Sequence, residues 1–234
     1  MTNDDRLAAV RRTACDPDDA DEASAVLRTA AKRGVLAYHV IFGAYGFWLP
    51  NDPRGSWSDF VAAWELFRAG GPATKTTTRR SVAGAPHDAA ARRRVKEALK
   101  YPAVVFNGYQ ALSVAHGFAG MVEKSAYRIH ACSILPEHVH LVLGRHPYRV
   151  EQMVRLLKAE ASSELAADGR HPLAPWPQED GSLPTPWARK CWKVFLDYAE
   201  DIQRAIRYVE NNPVKEGKRP QRWSFVVPYV EPIV

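Results

Sequence analysis

The sequence predicts an α+β fold, and three observations carry that expectation. Short β-rich runs at 35–45, 126–144 and 191–196 alternate with longer stretches of helical periodicity at 108–124, 149–167 and 199–211. Clusters of Pro, Gly, Asn and Asp punctuate them. A hydrophobic content of 46% over 234 residues supports a genuine core in one domain with elaborations.

In chain order, residues 1–34 are polar and Ala-rich, with a helix expected near 20–33, and read as an N-terminal extension. The run 35-VLAYHVIFGAY-45 is a strand that ends in the turn cluster 49-LPNDPRGS-56. Residues 57–69 carry Trp57, Phe60, Trp64 and Phe67 and read as a short helix; 70–86 is a Gly/Thr/Ser/Pro loop; 87–100 is a charged helix. A helix at 108–124 precedes two β-like runs, 127-YRIHACSIL-135 and 138-HVHLVLG-144. Only Pro136 and Glu137 separate these runs, which predicts a tight hairpin. Val150, Met153, Leu156, Leu157 and Leu165 fall at helical spacing over 149–167, and a Pro-rich loop follows over 168–187. The strand 191-CWKVFL-196 leads into the helix 199-AEDIQRAIRYVEN-211, which Pro213 is expected to end.

The resulting order is strand, helix, hairpin, helix, strand, helix. It predicts a ferredoxin-like βαββαβ antiparallel sheet with helices on one face and one extra C-terminal helix. The domain would span 35–225 with a basic insert around 50–100, and 226–234 would form a tail.

Charge is uneven. Lys plus Arg number 32 against 26 Asp plus Glu, a net +6, with pI near 9.3. The N-terminal segment is acidic, and 75–100 is basic. A basic stretch fits a phosphate-backbone binder and fits a solvated helix face equally well. No apolar run approaches the ~20 residues that span a bilayer, and MTNDDRLAAV has no apolar signal core. Cys15, Cys132 and Cys191 form no CxxC pair, which predicts reduced thiols in a cytoplasmic protein and no Cys-based zinc site.

The strand at 138–144 contains the residues with the most chemistry. Side chains alternate across a strand, so His138 and His140 share one face while Val139 and Leu141 point to the buried one. Two neutral imidazoles on one face make a two-point metal ligand that needs a third group. A polar strand face would look the same. Val142 stands where a histidine-triad hydrolase would need a third histidine, HExxH is absent, and Glu137 is the segment's one carboxylate. Far along the chain, Tyr208 and Asn212 are spaced i, i+4 and share a helix face. Alone, each has a plain reading: a core tyrosine, and an asparagine at a helix stop.

Taken together, His138-Val139-His140 after Pro136, with Tyr208 and Asn212-Pro213-Val214 about 70 residues later, resemble the single-tyrosine HUH transposases. The segment 208-YVENNPVKEG-217 is most similar to the REP-associated tyrosine transposases. Further matches are 187-WARKCWKVFL-196, Lys158 and 38-YHVIFGAYGFWLPNDPRGS-56, so the likeness covers roughly 35–225. Asn212 stands where many relatives have Gln, and Glu137 where Asn is frequent.

The resemblance implies that His138, His140 and Asn212 hold one Mg²⁺ or Mn²⁺. Tyr208 would attack a phosphate of single-stranded DNA, leaving a 5′-phosphotyrosine link and a free 3′-OH. The chemistry is reasonable, since a free phenol with pKa about 10 is a poor nucleophile at pH 7 without help from a cation. Exchanging one phosphodiester for another needs no ATP, and no GxxxxGK[ST] loop is present. The substrate implied is a DNA hairpin with a flanking single strand, bound by a monomer or a homodimer. Arg79, Arg80, Arg92, Arg93, Arg94, Arg145, Arg155 and Lys158 are the expected DNA-contacting cations, and Trp48 and Trp57 are candidates for base stacking. Two other readings compete: a catalytically silent, domesticated DNA or RNA hairpin-binding protein, and an unrelated metal-dependent hydrolase with Tyr208 in its core.

Overall fold

The alternation in 37–43 sets the frame. Tyr38, Val40 and Phe42 turn to one side of a strand, and Ala37, His39 and Ile41 to the other. The structure, a computed structural model, describes residues 12–14, 34–56, 58–76, 82 and 84–231. The helix expected near 20–33, Trp57, Arg79 and Arg80 lie outside the described residues.

The elements are β1 (Arg12–Ala14), β2 (Ala37–Gly43), α1 (Trp64–Gly70), α2 (Ala89–Glu97), α3 (Gly108–Ser125), β3 (Ile129–Ile134), β4 (His138–Gly144), α4 (Val150–Ala167), β5 (Trp192–Leu196) and α5 (Ala199–Lys215). Four strands form an antiparallel sheet in the order β5-β2-β4-β3, and the three residues of β1 pair with the outer edge of β5. Among the described residues no helix is long and apolar enough to cross a membrane.

The two faces of the sheet are covered differently. On one, α3 and α4 close over Val40, Phe42, Val139, Leu141 and Leu143 with Val114, Phe118, Met153, Val154, Leu157 and Leu165. A capping box between Asn107 and Gln110 starts α3. The helices touch at Gly117, where a Cβ would meet the Ala161 Cα at 2.6 Å, so only glycine permits that approach. On the other face α5 lays Ile202, Ala205 and Val209 on Ala37, Ala131, Val142 and Leu196. The histidine-bearing face of β4, expected to stand outside the core, is therefore covered by α5.

Three sequence expectations are corrected. α1 starts at Trp64 rather than at 57. α5 passes through Pro213 and continues to Lys215. A proline in a last turn forfeits one hydrogen bond, while the following amides still close the turn: Glu216 N–H donates to Asn212 O at 3.2 Å and Gly217 N–H to Val214 O at 3.0 Å. Cys132 is a free, buried thiol as expected, but Cys191 is disulfide-bonded.

The hairpin turns at Pro136 and Glu137, with Leu135 N–H donating to His138 O at 2.9 Å. Beyond α5 the chain runs back along the free edge of β3. The Gln221 amide bonds both Ile134 N–H and Ile134 O at 2.8 Å, and Val227 N–H reaches Ile129 O at 2.9 Å. That covers an edge otherwise open to strand pairing. Within the insert, α1 and α2 share a small cluster of Leu49, Leu66 and Val95, and the buried Asp52 carboxylate holds Arg54 at 2.8 Å and Arg92 at 3.3 Å.

Candidate active site

Pairing register determines what stands beside each histidine. Gly43 lies opposite His138, and Ile41 opposite His140. With no side chain at 43, the Phe47 ring folds in; a Cβ there would sit 2.9 Å from Phe47 Cδ1. Phe47 stacks on the His138 imidazole at 4.8 Å between centroids. The His138 and His140 rings are 5.0 Å apart. His140 is buried, and its Nδ1 lies 3.1 Å from Nε2 of His39 on β2. With the proton on His140 Nδ1, that bond leaves Nε2 as a free lone pair.

Helix α5 contributes successive turns of one face. The Tyr208 ring is 5.8 Å from that of His140 and 5.6 Å from that of His39, and it is 45% exposed. Asn212 follows one turn on and is buried. Glu216 follows another turn on, with Oε1 3.7 Å from His138 Nε2. Lys215 places its ammonium 4.6 Å from the Tyr208 ring centroid. The structure thus gathers His138, His140 and Tyr208, 68 to 70 positions apart in the sequence, with Asn212 and Glu216 below the tyrosine.

Burial holds His138 down to about 4, opposed by the nearby Glu137 carboxylate. His140 lies well below the ordinary imidazole value, chiefly through burial and then through the positive charge of His39, His138 and Lys215. Neutral imidazoles are the form that binds metals. Three buried atoms here have no hydrogen-bond partner: His138 Nδ1, Asn212 Nδ2 and Oγ of Ser133, which lies opposite His140 on β3. Burying an unsatisfied polar atom costs about 1–3 kcal/mol, and flipping the Asn212 amide would present an oxygen at the same position. Imidazole and amide are donor types that suit a divalent cation, while Glu216 does not form a group with His138 and His140 whose ligand atoms all lie within 4.8 Å of one another.

Sequence reasoning missed two residues. His39 lies on a different strand, so no i, i+2 spacing ties it to His140; only the β2–β4 register does. Glu216 is four residues beyond Asn212, and reading Pro213 as the helix end concealed that shared face.

The expected DNA-contacting cations divide. Arg93, Arg94 and Arg145 are exposed. Arg92 is committed to Asp52, while Lys96 bonds Glu137, next to His138, at 3.0 Å. Arg92, Arg93 and Lys96 line a cleft of about 520 Å³ with Lys100 and Tyr101. Arg155 and Lys158 both lie on α4, across the sheet from the histidines, with Arg155 exposed there. Lys158 is buried, donates to Ala188 O at 2.8 Å and Lys190 O at 3.3 Å, and burial lowers it to about 8. It braces the loop before β5 and does not reach solvent phosphates. Trp48 is used internally, donating to Gly55 O at 2.9 Å beneath the Arg54 guanidinium.

A separate group, His116, Glu164 and Asp168, brings its ligand atoms within 4.8 Å of one another between α3 and α4, and could hold a metal ion. Asp168 Oδ2 there already accepts from Ser113 Oγ at 2.5 Å and Arg170 Nη1 at 3.0 Å.

No protein-family profile matches the chain, and no curated protein does. Among solved structures, a REP-associated tyrosine transposase bound to a REP hairpin is similar at a TM-score of 0.40 and 14% identity, over 78% of this chain and 69% of that one. A protein from Deinococcus radiodurans R1 assigned provisionally as a transposase is similar at a TM-score of 0.35 and 14% identity, over 75% of this chain and 89% of its own.

Proposed function

We propose that the protein is a metal-dependent endonuclease and strand transferase of the HUH type. It would act on single-stranded DNA beside a hairpin, with Tyr208 as nucleophile. The observation that carries this reading is the meeting of two remote motifs, the Tyr208 ring standing 5.8 Å from His140 on the covered face of the sheet. The strand order β5-β2-β4-β3, with α3 and α4 as crossovers, supports a ferredoxin-like frame under it.

His138, His140 and Asn212 are the metal ligands in this reading, with His39 fixing the tautomer of His140. A bound Mg²⁺ or Mn²⁺ would neutralise and polarise the scissile phosphate. The exposed edge of Tyr208 would face an incoming strand, while burial of His140 limits access of competing water. The Tyr208 hydroxyl oxygen bonds to phosphorus as its proton leaves. The bond from phosphorus to the 3′ oxygen breaks, and that oxygen departs as a 3′-hydroxyl after gaining a proton. The 5′ side remains as a phosphotyrosine ester. The Lys215 ammonium adds positive charge where the phosphate approaches. Arg93, Arg94 and Arg145, with Arg79 and Arg80, supply contacts to the DNA backbone.

The test uses Mn²⁺ and an oligonucleotide carrying an inverted repeat from the DNA flanking the gene. Wild type is expected to give a covalent protein–DNA adduct on a denaturing gel, and Tyr208→Phe to give none. Equal cleavage by Tyr208→Phe without an adduct in wild type rejects the mechanism and favours the hydrolase reading. Salt-sensitive hairpin binding with no nicking favours a silent binding protein.

A further inference from the structure

Where the insert meets the sheet, Arg92, Arg93, Lys96 and Lys100 line the cleft of about 520 Å³, and Glu97 is the single carboxylate among the residues around it. An excess of cations at one opening attracts a polyanion. Two of these cations are held in place. Arg92 reaches the buried Asp52 carboxylate at 3.3 Å, which also holds Arg54, so one carboxylate faces two guanidinium groups and a positive charge is left over. Lys96 reaches Glu137 at 3.0 Å. The other two, Arg93 and Lys100, are exposed and have no ion-pair partner among the described residues. The cleft also adjoins the candidate active site. Glu137, the partner of Lys96, directly precedes His138. Leu99 and Ala103 on the cleft wall pack against the turn after β2, so closely that a Cβ on Gly46 would lie 2.7 Å from one and 2.8 Å from the other. The residue after Gly46 is Phe47, which stacks on His138. A cleft of this volume takes a group of small-molecule size, such as one nucleotide of a single strand, and is far too small to admit a duplex.

We propose that this cleft binds the single strand that flanks the DNA hairpin, with Arg93 and Lys100 contacting its backbone phosphates and Arg92 and Lys96 as fixed charges beside them. The inference rests on the strand-transferase reading and deepens it, giving the unpaired arm of the substrate a place on the insert. Lys96 links the two regions: it lines the cleft and bonds the residue before His138, so a phosphate held there lies one side chain away from the histidine strand.

The experiment measures binding of a fluorescent oligonucleotide by anisotropy, in chelator so that no cleavage occurs. The oligonucleotide carries an inverted repeat from the DNA flanking the gene, with or without its unpaired flank. Wild type is compared with Arg93→Gln/Lys100→Gln and with Arg155→Gln/Arg189→Gln, which removes the same charge from a different cleft, between α4 and the loop before β5. Melting curves confirm that each is folded. Arg93→Gln/Lys100→Gln is expected to bind the flanked hairpin about tenfold more weakly, with the salt slope reduced by about 1.4, the value for two phosphate contacts on a single strand. Its affinity for the bare hairpin, and that of Arg155→Gln/Arg189→Gln for the flanked one, should change less than about twofold. Unchanged binding of the flanked hairpin by Arg93→Gln/Lys100→Gln overturns the assignment. Equal weakening by the two double variants also overturns it, since net charge then explains the effect. Equal loss on the bare hairpin overturns it too, because the cleft then serves the duplex. A covalent adduct formed by wild type with Mn²⁺ alongside any of these three outcomes leaves the strand-transferase reading standing. Wild type that binds neither oligonucleotide and forms no adduct removes that reading and this inference with it.

Discussion

The two faces of one sheet follow opposite rules. Under α3 and α4 the packing is apolar and continuous: Phe42, Phe118, Leu141, Leu143, Met153, Leu157 and Leu165 are all essentially inaccessible. Under α5 the apolar contact is a short patch of Ala37, Ala131, Val142, Ile202, Ala205 and Val209. The rest of that interface includes three histidines, a tyrosine and an asparagine, with buried polar atoms of Ser133, His138 and Asn212 unsatisfied. The first face pays for folding through area removed from water, at roughly 25 cal/mol per Å². The second leaves polar atoms without partners under cover of α5, a local loss of stability of the kind the proposed site would require.

If that contrast is right, the largest effect comes from the apolar face. Phe118→Ala should destabilise the protein by about 3–5 kcal/mol, measured by urea denaturation, because the ring touches Phe42 and Phe225 and leaves a cavity that close packing cannot refill.

The next effect is acid lability from the polar face. Without metal, burial keeps His138 neutral down to about pH 4, whereas in the unfolded chain it takes a proton near 6.5. Above about pH 6.5 neither state is protonated and nothing is lost. Between about 6.5 and 4 the unfolded state alone binds the proton, so stability falls as pH falls, by up to about 3 kcal/mol from this residue. His140, also lowered by burial, acts in the same direction. Denaturation midpoints in chelator from pH 8 to pH 4.5 measure the slope; a flat profile would break the contrast between the faces.

The smallest effect has the opposite sign. His138→Leu removes a buried atom that has no partner. In chelator it should leave the protein as stable as wild type or more stable by about 1 kcal/mol, and it should flatten the acid slope. Mn²⁺ should raise the melting temperature of wild type and not that of His138→Leu. A large loss of stability in this variant would make His138 a packing residue.

Legibility in the sequence also differed between the faces. Helices α3 and α4 and the hairpin were readable within a residue or two, because their apolar positions repeat at 3.6 or at 2 and their ends carry capping or turn residues. The insert was less readable: 57–63 has the aromatics of a helix but the chain enters α1 only at Trp64, where Leu66 can reach Leu49 and Val95. The end of α5 was misread because Pro213 breaks helices in mid-course and is tolerated in a last turn. Lys158 was counted as a phosphate contact because a lysine reads as exposed until its helix is oriented; here it turns inward beneath the loop before β5.

By itself, the sequence determined what is local. Alternation put His138 and His140 on one face, and helical spacing put Tyr208 with Asn212. Whether those faces look at each other is non-local. It depends on strand register and on which side of the sheet α5 packs, and those are decided by the apolar patch that Ile202, Ala205 and Val209 find on Ala37, Ala131 and Val142. That packing buried His140 and partly covered His138, and the continuation of α5 past Pro213 brought in Glu216. His39 entered through a cross-strand neighbour relation that has no signature along the chain.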